Sequence, residues 1–407
     1  MSPSTAPSTD LAPQRLRATP SPVARMVTAP RRRPRFGLLG HAPALDGLRG
    51  VAVLLVLVYH FAGHYVVNGG WAGVDIFFGL SGFLITALIL DERRVHGRVG
   101  LGRFYARRAC RLLPALLFLL AAWTVVLLAF HDHHWIAATP SGDGRGRSVD
   151  VPKALADIGV ALVYLANWNV AFGGMEAPLS HLWSLAVEEQ FYLVWPLTLI
   201  GLSLLGRRSR FALVLGLIAV SAALPWLYWD GGAGKNRIYF GTDTRAVGLL
   251  AGALAAMVWH ERHALGRATR YAGSRAWLAV AFVALVAWRA GNMPGKFLVL
   301  PALLALAVAQ LVPYLAEGRG RLSRVLGNPV LRWFGRRSYA LYLWHYLWAT
   351  WTHPLGLWPG MPLGIAGALV CTQVSWVLVE SPALRFGKRF HVSQAPQAGP
   401  RKVRAAA

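Results

Sequence analysis

Stretches of roughly twenty mostly apolar residues recur almost end to end along this chain. That is the length an α-helix needs to cross a hydrocarbon core of about 30 Å. They fall at 45–66, 71–90, 112–130, 183–205, 211–229, 242–260, 276–291, 297–316, 338–353 and 362–380. Backbone N–H and C=O groups must pair internally in lipid, so the runs predict helices and not open strands. Of the 407 residues 55% are hydrophobic and only 14% charged, too little charge for the surface of a soluble chain of this size. Seventeen Trp and twelve Tyr suit aromatic belts at two membrane interfaces. The expected fold is therefore an all-α polytopic membrane protein, a bundle of about ten transmembrane helices.

One further segment, 154–172, contains Asp157, Asn167 and Asn169 and is ambiguous. Charge asymmetry arbitrates. If it lies in the interface or re-enters without crossing, 33 of the 42 Lys and Arg fall on one side together with both tails, and six fall opposite. If it crosses, the bias largely vanishes. The positive-inside rule then favours ten spans, one extra interfacial or re-entrant segment, and both termini in the cytoplasm. The high Arg and Ala usage hints at a GC-rich bacterial genome, and so at a bacterial cytoplasmic (inner) membrane. Residues 1–43, rich in Pro, Ser, Ala and Arg, read as a disordered basic tail without a cleavable signal. Residues 44–386 form the membrane domain, and 387–407 a second basic tail. The net charge of +25 is spread between apolar runs, so anionic lipid head groups, and not nucleic acid, are the expected partner. Cys110 and Cys371 offer neither a disulfide framework nor metal spacing.

Ionisable residues inside such spans are costly and persist mainly where they work. In the first span Leu45-Asp46-Gly47-Leu48-Arg49-Gly50 is followed by His60. Eleven residues of helix rise about 16 Å in about three turns, so Arg49 and His60 share a face at two depths. His60 is suited to take and return a proton near neutral pH; a structural hydrogen bond fits a lone intramembrane histidine equally well. Arg107, Arg108 and Arg111 precede the third span. They read either as a positive-inside anchor or as forks for a polyphosphate, such as the 3′-phosphate and pyrophosphate of coenzyme A. Glu188 and Glu189 lead the span after Trp183 and Ser184, and two adjacent carboxylates there require a partner. A structural pair with a buried arginine such as Arg245 is one option, and a catalytic role is the other. Tyr342 and His345 lie three apart in the ninth span, and Glu380-Ser381-Pro382 closes the last.

In order along the chain, Leu45 to Gly50 with His60, Gly73-Val74-Asp75-Ile76-Phe77-Phe78-Gly79-Leu80-Ser81-Gly82-Phe83, Arg107 to Pro114, His181-Leu182-Trp183-Ser184-Leu185-Ala186-Val187-Glu188-Glu189-Gln190-Phe191-Tyr192, Ser338 to His345 and Glu380-Ser381-Pro382 follow one another. Together they resemble the acyltransferase 3 family of membrane-bound O-acyltransferases, over about 43–386. The resemblance implies transfer of an acyl group, usually acetyl, from cytoplasmic acyl-CoA to a hydroxyl of a carbohydrate or related acceptor. Acyl-CoA is then a co-substrate, with no tightly bound cofactor and no metal. Gly79 stands where the pattern usually has Val, a departure expected to be harmless. The chain also lacks the extracytoplasmic esterase-like domain of some members, which suggests a single-domain enzyme.

The resulting expectation places His60 as general base and Arg49 as a holder of the donor or of negative charge. Glu188 or Glu189 orients the histidine or the acceptor, and Arg107, Arg108 and Arg111 hold the coenzyme phosphates. Asp46, Trp183, Ser184, Arg245, Tyr342 and His345 complete the expected substrate-binding set. A covalent acyl-His60 or acyl-Ser81 is a second route. The acceptor stays open among envelope glycans, glycolipids and macrolides. A rival of another class is a transporter or flippase of an acylated or glycosylated lipid, disfavoured by the basic loop and by the absence of inverted repeats.

Overall fold

The computed structural model describes residues 42–133, 149–175, 178–231, 234–264, 273–291 and 295–390. The expected basic tails lie almost wholly outside these residues. Among them all regular structure is helical. The principal helices are α1 (Pro43–Val66), α2 (Ala72–His96), α3 (Leu101–Phe130), α4 (Val151–Leu162), α5 (Ala166–Ala171), α6 (Trp183–Leu202), α7 (Arg207–Leu227) and α8 (Lys235–Phe240). They continue as α9 (Thr242–Ala264), α10 (Gly273–Arg289), α11 (Lys296–Ala316), α12 (Gly320–Leu326), α13 (Pro329–Arg336), α14 (Ser338–Thr352), α15 (Leu357–Ser375) and α16 (Ser381–Gly387).

The helix ends follow local chemistry. Gly97 takes φ 70° and its N–H returns to the Arg93 carbonyl, a left-handed stop that glycine adopts without steric cost. Asn328 accepts from the Leu331 N–H at 2.9 Å, with Pro329 behind it, and so caps α13. Asp150 caps α4 in the same way through the Lys153 N–H at 3.1 Å.

Each of the ten expected spans is helical, but among the described residues six helices are long and apolar enough to cross a membrane: Pro43–Ala62, Ala72–His96, Leu101–Phe130, Arg207–Leu227, Lys296–Ala316 and Leu357–Phe390. The other four differ for visible reasons. Helix α14 has 15 residues and α10 has 17, while α6 carries Glu188 and Glu189 and α9 carries Asp243, Arg245, Glu261 and Arg262. The ambiguous segment breaks in two. Tyr164 has φ 55°, and the 12 residues of α4 rise only about 18 Å, less than a hydrocarbon core.

Helix α2 forms the centre, with Phe78, Leu80, Phe83 and Ile85 all buried. Helix α7 is peripheral: Leu213, Leu215, Val220 and Leu227 are exposed, and only Val214, Ser221 and Pro225 are buried. An apolar face of that extent is stable against lipid and not against water.

Two close crossings set the bundle. A Cβ on Gly82 would lie 1.9 Å from the Leu249 carbonyl oxygen, and one on Gly252 would lie 2.1 Å from that of Gly79. Helices α2 and α9 thus meet backbone to backbone through small residues, as membrane helices commonly do. Gly79 is accordingly not a neutral departure. A side chain there would meet Val308 Cγ1 at 2.4 Å, so this chain has traded bulk on α2 for bulk on α11. At the second crossing, Gly47 and Gly50 of α1 face the carbonyls of Leu326 and Leu331 at 1.7 and 2.2 Å from their would-be Cβ atoms. The glycines around Arg49 therefore serve helix approach. Gly82→Ala is expected to cost about 1–3 kcal/mol by overpacking, read as a lower thermal midpoint in detergent; an unchanged midpoint contradicts the crossing.

Candidate active site

Asp46 and Arg49 share the first turns of α1, but only Arg49 faces inward, where its Nε donates to Ser338 Oγ at 3.4 Å. Asp46 instead contributes its backbone carbonyl to the contact with Gly335. Arg49, Ser338, Tyr339, Tyr342, Phe77, Phe78, Ser184 and Glu188 line a cleft of about 420 Å³, counted to its mouth. Four helices, α1, α2, α6 and α14, supply its walls.

The basic run on α3 divides. Arg111 is enclosed within electrostatic reach of Arg49, Arg108 and Glu380. Arg108 lies over the Tyr192 ring, 4.5 Å from its centroid. Arg107 turns away, pairing with Glu92 at 3.2 Å and donating to the Phe390 carbonyl at 3.0 Å. Arg107 and Arg111 stand four residues apart on one helix, yet the carboxylate of Glu92 on α2 draws the former side chain aside. Three guanidinium groups, Arg49, Arg108 and Arg111, thus converge near the cleft. Like charges so placed repel, and an anion bound among them would relieve that repulsion.

Glu188 accepts short hydrogen bonds from Ser81 Oγ and Tyr192 Oη. Ser81 is thereby committed as a donor. Glu189 Oε1 is buried and, among the described residues, has no hydrogen-bond partner; Arg108 is its nearest cationic influence. Gln190 is an anchor: its amide donates to the carbonyls of Tyr164 and Asn167 at 2.7 and 2.9 Å, and its oxygen accepts from Thr242 at 2.5 Å. Asn167 in turn donates to Thr242 at 2.9 Å. This amide network ties the broken 154–172 segment to α6 and α9 and accounts for its polar residues. Outside the bundle, paired hydrogen bonds to Asp243 at 2.8 and 2.6 Å raise the pKa of Arg237 above its ordinary value.

Arg245 is not the partner of the glutamates. Its Nη2 donates to Asp75 Oδ1 at 2.9 Å, with the side chains 1% and 2% exposed, and the rings of Phe78, Trp183 and Tyr239 surround it. Trp183 likewise packs on Tyr239 and Phe240, centroids 4.9 and 5.1 Å apart, and belongs to the core behind the cleft. Neither residue lines the cleft as the sequence suggested. Asp75 on α2 claims the guanidinium because the glycine-mediated crossing brings α9 against it.

Beyond Tyr342 lies a cluster of three histidines. His60 Nδ1 is 2.9 Å from the Val56 carbonyl and 3.3 Å from His345 Nε2. The ring of His181 lies 5.7 Å from that of His345 and 5.0 Å from that of Tyr346. Tyr342 is the shared wall. Its hydroxyl donates to the His181 carbonyl at 2.8 Å and sits 2.5 Å from Ser184 Oγ, while its ring is 5.3 Å from that of His345. His60 does not line the cleft itself; Tyr342 in the cleft wall meets His345, and His345 meets His60. His181, Tyr192 and Ser338 escaped the sequence reading as site residues, although all three lie in or beside the motifs quoted above.

The described residues thus build an all-helical membrane protein with a cleft that Arg49 lines, with Arg108 and Arg111 close by, and with His345 in contact with His60 beyond Tyr342. The acyltransferase domain family matches residues 43–380. Peptidoglycan O-acetyltransferase OatA of Listeria monocytogenes is 32% identical over 372 residues, covering 85% of this chain and 56% of the relative. The putative peptidoglycan O-acetyltransferase YrhL of Bacillus subtilis is 34% identical over 323 residues, 75% of this chain and 48% of the relative. A putative O-acetyltransferase of Staphylococcus aureus is 30% identical over 377 residues, covering 87% and 59% respectively. The chain belongs to the acyltransferase 3 family. It spans about half the length of the curated relatives it matches. No solved structure gives a significant match.

Proposed function

We propose that this protein is an integral-membrane O-acetyltransferase that moves acetyl from cytoplasmic acetyl-CoA to a hydroxyl of an envelope glycan, with peptidoglycan as the first acceptor to test. The names of its relatives motivate the acceptor. The observation that carries the chemistry is that Tyr342, in the wall of the cleft that Arg49 lines, packs against His345, whose ring meets that of His60. In this reading ten helices cross the bilayer with both termini in the cytoplasm, and the cleft opens inward.

Coenzyme phosphates then meet Arg49, Arg108 and Arg111, which present forked donors to phosphate oxygens. The thioester lies towards Tyr342. His60 Nε2 removes the proton from the acceptor hydroxyl, whose oxygen attacks the thioester carbonyl. A new C–O bond forms and the C–S bond breaks. The proton held by His60 is returned to the departing coenzyme A thiolate. Displacement of the Tyr342 ring opens the cleft towards His345 and His60.

The purified full chain in lipid nanodiscs, given acetyl-CoA labelled in the acetyl group and soluble peptidoglycan fragments, is expected to place label on the glycan as a base-labile ester. Free coenzyme A should appear in equal amount. Acceptor movement across the membrane without coenzyme A release would instead indicate a transporter and end this proposal. Envelope extracts compared by mass spectrometry with and without the gene identify the acceptor should peptidoglycan fragments stay unlabelled.

A further inference from the structure

We infer that His345 is a positioning residue for His60: it fixes which ring nitrogen of His60 carries the lone pair and takes up the hydrogen bond that strengthens as His60 gains a proton. The inference rests on His60 being the base proposed above.

The assignment follows from counting protons on nitrogens. A neutral imidazole has one N–H and one lone pair. His345 Nδ1 lies 2.6 Å from the Tyr342 carbonyl, and a carbonyl can only accept, so Nδ1 bears the proton. Nε2 of His345 is left as an acceptor. It faces His60 Nδ1 at 3.3 Å, and that nitrogen also faces the Val56 carbonyl at 2.9 Å. Two acceptors on one nitrogen require an N–H there, shared between them. The remaining nitrogen, His60 Nε2, must then hold the lone pair. That is the tautomer a general base needs.

The surroundings hold this arrangement. His345 is fully buried, and its ring meets that of His60 at a centroid distance of 5.0 Å. His181 supports it from the other side: its two nitrogens lie 3.1 Å from the carbonyls of Pro178 and Leu343. A neutral imidazole has one N–H and so donates to only one of the two carbonyls; the Leu343 contact lies on the turn of α14 that carries both Tyr342 and His345. The other titratable groups around His60 are the hydroxyls of Tyr59 and Tyr346. No carboxylate contacts His60 among the described residues. The role that a carboxylate plays behind many catalytic histidines therefore falls to a neutral imidazole, which accepts the Nδ1–H bond without adding a charge to the bundle.

A residue that merely fills space predicts different kinetics from one that orients the base. With acetyl-CoA and soluble peptidoglycan fragments as acceptor, His345→Phe is expected to lower kcat roughly 10–100-fold, the range for groups that orient a histidine from behind. KM for acetyl-CoA should stay unchanged, because the arginines are untouched. His345→Gln should recover most of the rate, since its side-chain carbonyl reaches the position of Nε2; His345→Asn, one methylene shorter, should not. The Gln and Asn variants share chemistry and differ in reach, so their comparison stands even if the Phe variant fails to fold. Equal rates for Gln and Asn, or wild-type kcat in the Phe variant while His60→Ala is inactive, overturn the inference and leave His60 as base intact. Full activity of His60→Ala overturns both.

Discussion

His60→Ala is expected to abolish measurable acetyl transfer, with a loss in kcat of about 10²–10⁴-fold, the usual worth of a positioned general base. The protein should remain folded, inserted and able to bind acetyl-CoA. His60 is only part-buried, and its backbone partner, the Val56 carbonyl, belongs to its own helix. Alanine is the best helix former, so α1 survives the change. Arg49 lies about three helical turns away on the same helix, and Arg108 and Arg111 lie on α3. Donor binding and transfer should therefore separate: an acetyl-CoA-dependent rise in thermal midpoint persists, while release of coenzyme A in the presence of acceptor does not. Turnover at the wild-type rate would remove His60 from the chemistry.

The segments of the fold were legible because length and hydropathy are properties of a single strand of sequence. Each expected apolar run became a helix, and the polar content of 154–172 marked the piece that breaks into two short helices. The site was legible in part. Arg49, Ser184, Glu188 and Tyr342 do share a cleft, and His345 reaches His60. Choice of partner was not legible, because it depends on which helices touch. Asp75 looked like one residue of a glycine-rich motif, yet the close approach of Gly82 to Leu249 and of Gly252 to Gly79 delivers Arg245 to it. Glu92 takes Arg107 out of the phosphate-facing set for the same kind of reason. His181 sat in plain view before Trp183, but nothing in one turn of chain reveals that its ring will lie against Tyr346 and His345. Gly79 looked neutral because the compensating side chain, Val308, is more than two hundred residues away.

Replacing Asp75 by Ala is expected to destabilise the bundle more than any change at the cleft, by about 3–5 kcal/mol, because it leaves the Arg245 guanidinium buried and unpaired. The pair is almost wholly enclosed. Its satisfaction is also incomplete: among the described residues Asp75 Oδ2 and Arg245 Nε and Nη1 have no hydrogen-bond partner. The aromatic faces of Phe78, Trp183 and Tyr239 offer the cation some compensation, each such contact being worth on the order of 0.5–2 kcal/mol. They give the carboxylate none. A buried ion pair held this way need not favour the fold over an apolar replacement of similar volume, since desolvation of both charges opposes their attraction. The double variant Asp75→Leu with Arg245→Met should therefore recover most of what the single change loses. Thermal midpoints of the full chain in detergent, measured for the two single variants and the double, test this directly. If the double variant is no more stable than Asp75→Ala, the pair contributes net stability; if Asp75→Ala is as stable as the parent, the guanidinium has found water or another acceptor and the pairing is not what holds α2 against α9. Recovery with transfer retained would show that the ion pair takes no part in acetyl transfer.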